Sequence, residues 1–187
     1  VTMQNHGGYT GSGMPNPIQI TNPGENFVGA EEYLTLVEES DKALEELLQY
    51  FEQEEEPVVV CVFGDHYPKV EEEIYEALED TVAGTPAEKT SLKYQVPFMI
   101  YANYDIAEKQ YENISLNYLS TLLCETAGIS LTDYQKYLEN LYESYPVVNV
   151  YGVKNSQGEW FTWDEASEFE EIREYEKIQY RNLFDNN

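Results

Sequence analysis

Histidine and cysteine are scarce in this chain, with two of each in 187 residues. Two cysteines cannot make a disulfide framework for a chain this long. Cys61 lies inside the apolar run Val58-Val59-Val60-Cys61-Val62-Phe63 and Cys124 inside Leu122-Leu123-Cys124, so both read as free buried thiols that pack as small hydrophobes. Neither has the CxxC spacing of a redox or zinc site. Basic residues are also few: ten Lys and Arg face 36 Asp and Glu, a formal charge of −26. That balance excludes nucleic acid as a partner, because phosphate backbones reward clustered cations. It also disfavours docking on an anionic membrane through this piece alone. The acidic residues read as a solubilising surface. No apolar run approaches the ~18 residues of a membrane span. The opening Val1-Thr2-Met3-Gln4-Asn5-His6 lacks the basic and apolar regions of a signal peptide. A strand running straight into a loop is an odd beginning, and the expectation is a chain cut from something longer.

What is present argues for one folded domain, with 42% hydrophobic and 14% aromatic residues. Residues 1–3 read as a strand, followed by a Gly-, Asn- and Pro-rich loop to about residue 29. Tyr33, Leu34, Val37, Leu44, Leu47, Leu48 and Phe51 then recur on one face of a long helix that Pro57 ends. The run 58–63 has no alternation, the mark of a strand buried on both faces, as in parallel sheets. Residues 70–78 predict a short helix and 96–101 a second apolar strand. Two more helices follow, 114–127, stopped by Gly128 as a C-cap, and 131–143. Residues 147–153 and 159–161 flank Lys154-Asn155-Ser156-Gln157-Gly158 as a hairpin. Thr162 and Glu165 form a capping box for a final helix, with Phe169, Ile172, Tyr175 and Ile178 facing inward. Strands alternating with helices predict an α/β fold, a layered sheet with helices on both faces plus a small C-terminal β-hairpin.

Both histidines lie in loops directly after apolar strands: His6 after 1–3 and His66 after 58–63. Strands of a parallel sheet deliver such loops to one edge, where ligands bind, so the two histidines are expected to face one cleft. Asp65 beside His66 pairs a hard carboxylate oxygen with an imidazole nitrogen, a set suited to Mn²⁺, Zn²⁺ or Mg²⁺. After Gly64 the backbone is free to turn so that both converge. Taken alone, such a pair more ordinarily serves hydrogen bonding within a loop, and two ligands do not make a site. Tyr134, Tyr137, Tyr142 and Tyr145 read either as a sugar-stacking platform or, more plainly, as helix packing. Asp41 reads as an exposed helix charge and Asp105 as a turn residue.

Phe63-Gly64-Asp65-His66-Tyr67-Pro68 resembles the metal-binding strand end of lipoteichoic acid synthases and related sulfatase-fold enzymes of the alkaline phosphatase superfamily. Thr2-Met3-Gln4-Asn5-His6-Gly7-Gly8-Tyr9 is similar to their substrate loop, and Val96-Pro97-Phe98-Met99-Ile100-Tyr101 with Asn103-Tyr104-Asp105-Ile106 to a later strand. Residues 119–129 and 175–184 resemble its following and closing helices. The resemblance implies that residues 1–187 are the C-terminal portion of a single sulfatase-like catalytic domain. It implies a metal held by Asp65 and His66, Mn²⁺ first with Mg²⁺ or Zn²⁺ as alternatives, and a substrate phosphate held by His6.

The resemblance also implies that the nucleophilic threonine and a glutamate ligand belong to an earlier half of the domain, so that no catalytic nucleophile is assigned in this chain. Thr2, Thr10 and Thr21 read as loop hydrogen-bonding residues. The implied activity is metal-dependent phosphoglycerol transfer from a glycerophospholipid head group at the extracellular face of the cell membrane. A sulfatase or phosphodiesterase on the same frame is the near alternative, and a non-catalytic acidic module binding partners or cell-wall glycans the distant one. The chain alone is expected to bind metal weakly and to turn over no ester.

Overall fold

The computed structural model describes residues 5–9, 18–21, 26–79, 84 and 86–184. The expected strand at 1–3, Thr2 and Thr10 lie outside the described residues. The protein is α/β, built from helices and two small antiparallel sheets.

The apolar 3.6-residue period becomes helix α1 (Val28–Glu52). It stops short of Pro57 because the Asn103 side chain takes up the carbonyls of Phe51, Glu54 and Glu56 at 3.1, 3.1 and 2.9 Å. Strand β1 (Val59–Phe63) follows, then α2 (Glu72–Glu79), α3 (Pro86–Leu92) and β2 (Phe98–Ala102). Helix α3 was not foreseen; Pro86 at its first position is the signal that marks it. The two strands pair antiparallel, Phe63 opposite Phe98 and Val59 opposite Ala102. The unbroken apolar run therefore does not mean burial on both faces. No residue of either strand is fully buried, and Phe63 is 50% exposed. Two strands lack the breadth to seal both of their faces. On α1, the apolar residues Leu34, Val37 and Leu47 are likewise exposed.

A 3-10 turn (Leu116–Tyr118) leads into α4 (Leu119–Thr126). Gly128 (φ 67°) ends that helix as expected: its N–H reaches the Glu125 carbonyl at 3.0 Å and the Ile129 N–H the Cys124 carbonyl at 2.8 Å. Helix α5 (Asp133–Ser144) opens on a capping box between Thr132 and Gln135.

The expected strand 147–153 is split. Asn149 Oδ1 accepts the Tyr151 N–H at 2.8 Å and turns the chain, so β3 (Val147–Asn149), β4 (Gly152–Lys154) and β5 (Trp160–Phe161) form a separate three-stranded sheet. The Thr162–Glu165 capping box opens only the short α6 (Trp163–Ala166). Phe169 then turns inward between Phe161 and Tyr145, with ring centroids at 4.9 and 5.9 Å, before α7 (Glu170–Phe184).

The main core gathers Tyr118, Leu138, Leu141, Val153, Ala166, Ile172 and Tyr175. Tyr134, Tyr137, Tyr142 and Tyr145 pack against it, which is the packing reading rather than the sugar platform. Both cysteines are free and half-buried. No helix among the described residues is long and apolar enough to cross a membrane.

Candidate functional site

Gly64 ends β1 in close contact with the entry to β2. Its N–H donates to the Pro97 carbonyl at 3.1 Å, and an added Cβ would lie 2.9 Å from the Val96 Cβ. Glycine is needed here for space, not for the conformational freedom expected from the sequence. The chain leaves this contact with Asp65 and His66 pointing outward, their side chains 84% and 67% exposed.

The two side chains converge. The His66 N–H donates to Asp65 Oδ1 at 2.9 Å, leaving Oδ2 3.5 Å from His66 Nε2. The other ring nitrogen, Nδ1, lies 2.8 Å from the Tyr67 carbonyl. A carbonyl only accepts, so Nδ1 carries a proton, and in the neutral ring Nε2, on the Asp65 side, is the nitrogen left with a lone pair for a metal. Two ligands each about 2.1 Å from a tetrahedrally bound ion stand about 3.4 Å apart. The donor pair thus fits a divalent metal in atom type, spacing and tautomer, with the Tyr67 carbonyl in the supporting position that metal-binding histidines use.

Helix α1 carries the second loop. Asn5 exchanges hydrogen bonds with Ser40 at 2.9 and 3.1 Å. The Tyr9 hydroxyl donates to the Asn5 carbonyl at 2.6 Å, and the Tyr9 ring meets Tyr33 edge-on at 5.8 Å. Farther along, Thr35 Oγ1 accepts the Ile18 N–H and Glu31 the Ile20 N–H, both at 2.9 Å. His6 is exposed on this loop.

The β1 exit approaches the same helix. Tyr67 stacks on Tyr75 at 5.7 Å, and the Tyr75 hydroxyl donates to the Pro68 carbonyl. Burial first, then the nearby Tyr33 hydroxyl, pushes both Tyr67 and Tyr75 above the ordinary tyrosine pKa, and Tyr9 adds to the effect on Tyr75. Three tyrosines, Tyr9 of the first loop, Tyr67 of the β1 exit and Tyr75 of α2, therefore lie near Tyr33 of α1.

Both histidine-bearing loops rest on α1, but His6, Asp65 and His66 do not form a cluster of three metal donors. No group of three or more His, Cys, Asp or Glu able to hold a metal is found among the described residues. Asp105 is exposed and follows β2, whose end pairs with the start of β1, so it lies at the sheet edge opposite Asp65. Asp41 and Thr21 are exposed.

Sequence reasoning missed Glu71. Its carboxylate accepts the Gly29 N–H at 2.7 Å and the Ala30 N–H at 3.0 Å, at the start of α1. Nothing local to residue 71 marks this role, because its partners are some forty residues away in the chain.

In structure, the chain resembles the Streptococcus pyogenes phosphoglycerol transferase GacH, solved in complex with sn-glycerol-1-phosphate. The TM-score is 0.54 at 18% identity, over 81% of this chain and 34% of that one. In sequence, it is 23% identical over 196 residues to a Rhizobium meliloti (strain 1021) protein provisionally named as a cyclic beta-1,2-glucan modification protein. That similarity covers 98% of this chain and 30% of the relative. The chain thus spans about a third of the length of these relatives, at 30% and 34%. Sulfatase-type proteins generally use divalent metals. With the Sulfatase family model matching residues 1–129, the chain belongs to the sulfatase family, whose fold is that of alkaline phosphatase.

Proposed function

We propose that residues 1–187 are the C-terminal portion of the catalytic domain of a metal-dependent phosphoglycerol transferase working at the extracellular face of a membrane. The observation that carries this reading is the Asp65–His66 pair, with Oδ2 and Nε2 facing each other at 3.5 Å and Nδ1 tied to a backbone carbonyl. Asp65 and His66 would hold the ion, Mn²⁺ first, and when bound it would polarise phosphoryl oxygens and lower the pKa of an attacking hydroxyl. The chain's own residues prepare that state. The Tyr67 carbonyl fixes the His66 tautomer, and the Asp65 Oδ1 bond to the His66 N–H fixes the carboxylate plane. His6, exposed on the loop held to α1, donates a ring N–H to a substrate phosphate oxygen.

A phosphate ester as substrate is supported by the fold shared with a phosphoglycerol transferase that binds sn-glycerol-1-phosphate. The attacking hydroxyl and the remaining ligands come from a preceding part of the domain. The half-covered β1–β2 sheet offers apolar surface for that part to pack on. A sulfatase or phosphodiesterase on the same frame is the second reading, supported by the Sulfatase family model that matches residues 1–129.

The test is hydrolysis of a fluorescent phosphatidylglycerol analogue with Mn²⁺, by this chain and by a longer protein that adds the preceding region. The short chain is expected to be silent. The longer one turns over and loses at least about 100-fold of its activity in Asp65→Ala, the upper end of what disturbing a metal's surroundings costs. Turnover by the short chain that depends on Asp65 contradicts the half-domain reading. Silence from both favours a non-catalytic module, and activity only on a sulfate ester favours the sulfatase.

A further inference from the structure

Helix α1 begins without a cap of its own, because its N-cap residue Phe27 makes no side-chain hydrogen bond. Its second and third residues, Gly29 and Ala30, carry the N–H groups that a capping Ser, Thr, Asp or Asn normally serves. Glu71 serves both from outside the helix, at 2.7 and 3.0 Å. A Cβ at position 29 would stand 3.1 Å from each carboxylate oxygen, so the glycine gives the carboxylate its seat.

Glu71 belongs to the segment between β1 and α2 that carries Asp65 and His66. That segment is held at its start by Gly64 against Pro97 and in its middle by Tyr75 against Pro68. Glu71 holds its end. The partner of that last hold is the helix to which the His6 loop is attached through Asn5–Ser40 and Tyr9–Tyr33.

We propose that Glu71 is a positioning residue: its carboxylate locks the β1-exit loop onto α1 and so sets the spacing between Asp65–His66 and His6. This rests on the assignment of those three residues given above. Glu71 touches neither metal nor substrate. It acts through the two loops, by joining the segment that carries one to the helix that carries the other.

The test compares amide exchange, residue by residue, in the wild-type chain, Glu71→Ala and Glu71→Gln. In Glu71→Ala, exchange at Gly29 and Ala30 should speed about tenfold and the acceleration should extend through 64–70, while Val153 in the separate sheet keeps its rate. Glu71→Gln keeps one carbonyl acceptor and should fall between, and it decides the matter if Glu71→Ala does not fold. Release of Gly29 and Ala30 with 64–70 unchanged overturns the proposal, leaving Glu71 as a helix cap only.

A second readout is Mn²⁺ broadening of the two histidine ring signals. In the wild type His66 should broaden first and His6 only at higher Mn²⁺; in Glu71→Ala, His66 should broaden as before while His6 requires still more Mn²⁺. An unchanged ratio of the two responses also counts against the lock. If Mn²⁺ broadens neither ring in the wild type, the metal assignment fails, and the exchange result alone upholds or overturns the link between loop and helix.

Discussion

Asn103 shows how much one side chain can carry. Its Oδ1 accepts the Val58 N–H at 2.8 Å while its Nδ2 serves three carbonyls around the end of α1. Replacing it with Ala leaves the Val58 N–H without its acceptor and removes the donor shared by three carbonyls, of which that of Phe51 keeps the Glu54 N–H; chemical denaturation of Asn103→Ala should show a loss of about 1–2 kcal/mol. Asn103→Asp keeps the acceptor but turns a charge toward the carbonyls. It should be at least as destabilised at neutral pH.

Glu71 gives the pH dependence at this scale. Burial alone would raise its carboxyl, but N–H groups of Glu71, Gly29 and Ala30 outweigh that and hold it below the ordinary 4.5. A depressed carboxyl stabilises the fold above its unfolded pKa and loses that contribution as pH falls through the lower folded value. Thermal melts should therefore fall more steeply below about pH 4.5 in the wild type than in Glu71→Gln. Parallel slopes would mean that the Glu71 bonds contribute nothing in solution. Both residues escaped sequence reading for one reason: an Asn after a strand and a Glu before a helix look ordinary, and their partners are distant in the chain. Asp65 and His66 could be singled out because their adjacency after an apolar strand is itself a signal, and the structure brings their side chains together.

Elements were legible where local chemistry decides them. The Gly128 cap and the long α1 helix stand as read, and the Thr162–Glu165 box forms, although the helix that it opens is only the short α6. What local pattern could not supply was pairing. The apolar run of β1 fits a parallel, fully buried strand as well as it fits a half-covered antiparallel one, and only its neighbours decide. The 147–153 stretch reads as one strand until the Asn149 side chain bends it.

Two glycines separate these cases experimentally. At Gly152 (φ 146°) an added Cβ would lie 2.3 Å from the Phe161 carbonyl oxygen, between β4 and β5. At Gly128 (φ 67°) nothing stands within 4 Å. Gly128→Ala should cost about 1 kcal/mol, the price of the left-handed conformation alone. Gly152→Ala must also displace backbone and should cost more than about 3 kcal/mol. Equal melting temperatures for the two variants would show that β4 and β5 do not approach so closely.

For the whole molecule, a charge of −26 means that self-repulsion opposes folding at low ionic strength. Raising salt from about 0.01 to 0.15 M shortens the screening length from about 30 to 8 Å, so the melting temperature should rise with salt. A fall would mean that specific ion pairs outweigh the repulsion. The resolved pairs, such as Lys42 with Glu38 and Glu39, are exposed and contribute little.

The central claim, that Asp65 and His66 are metal ligands awaiting the rest of their site, is tested most directly by titrating Mn²⁺ into this chain and following both histidine rings by NMR. The expected result is selective broadening of His66 at weak affinity, abolished in Asp65→Ala, because the pair supplies only part of a coordination shell. No selective effect on His66, or the same effect in Asp65→Ala, contradicts the claim.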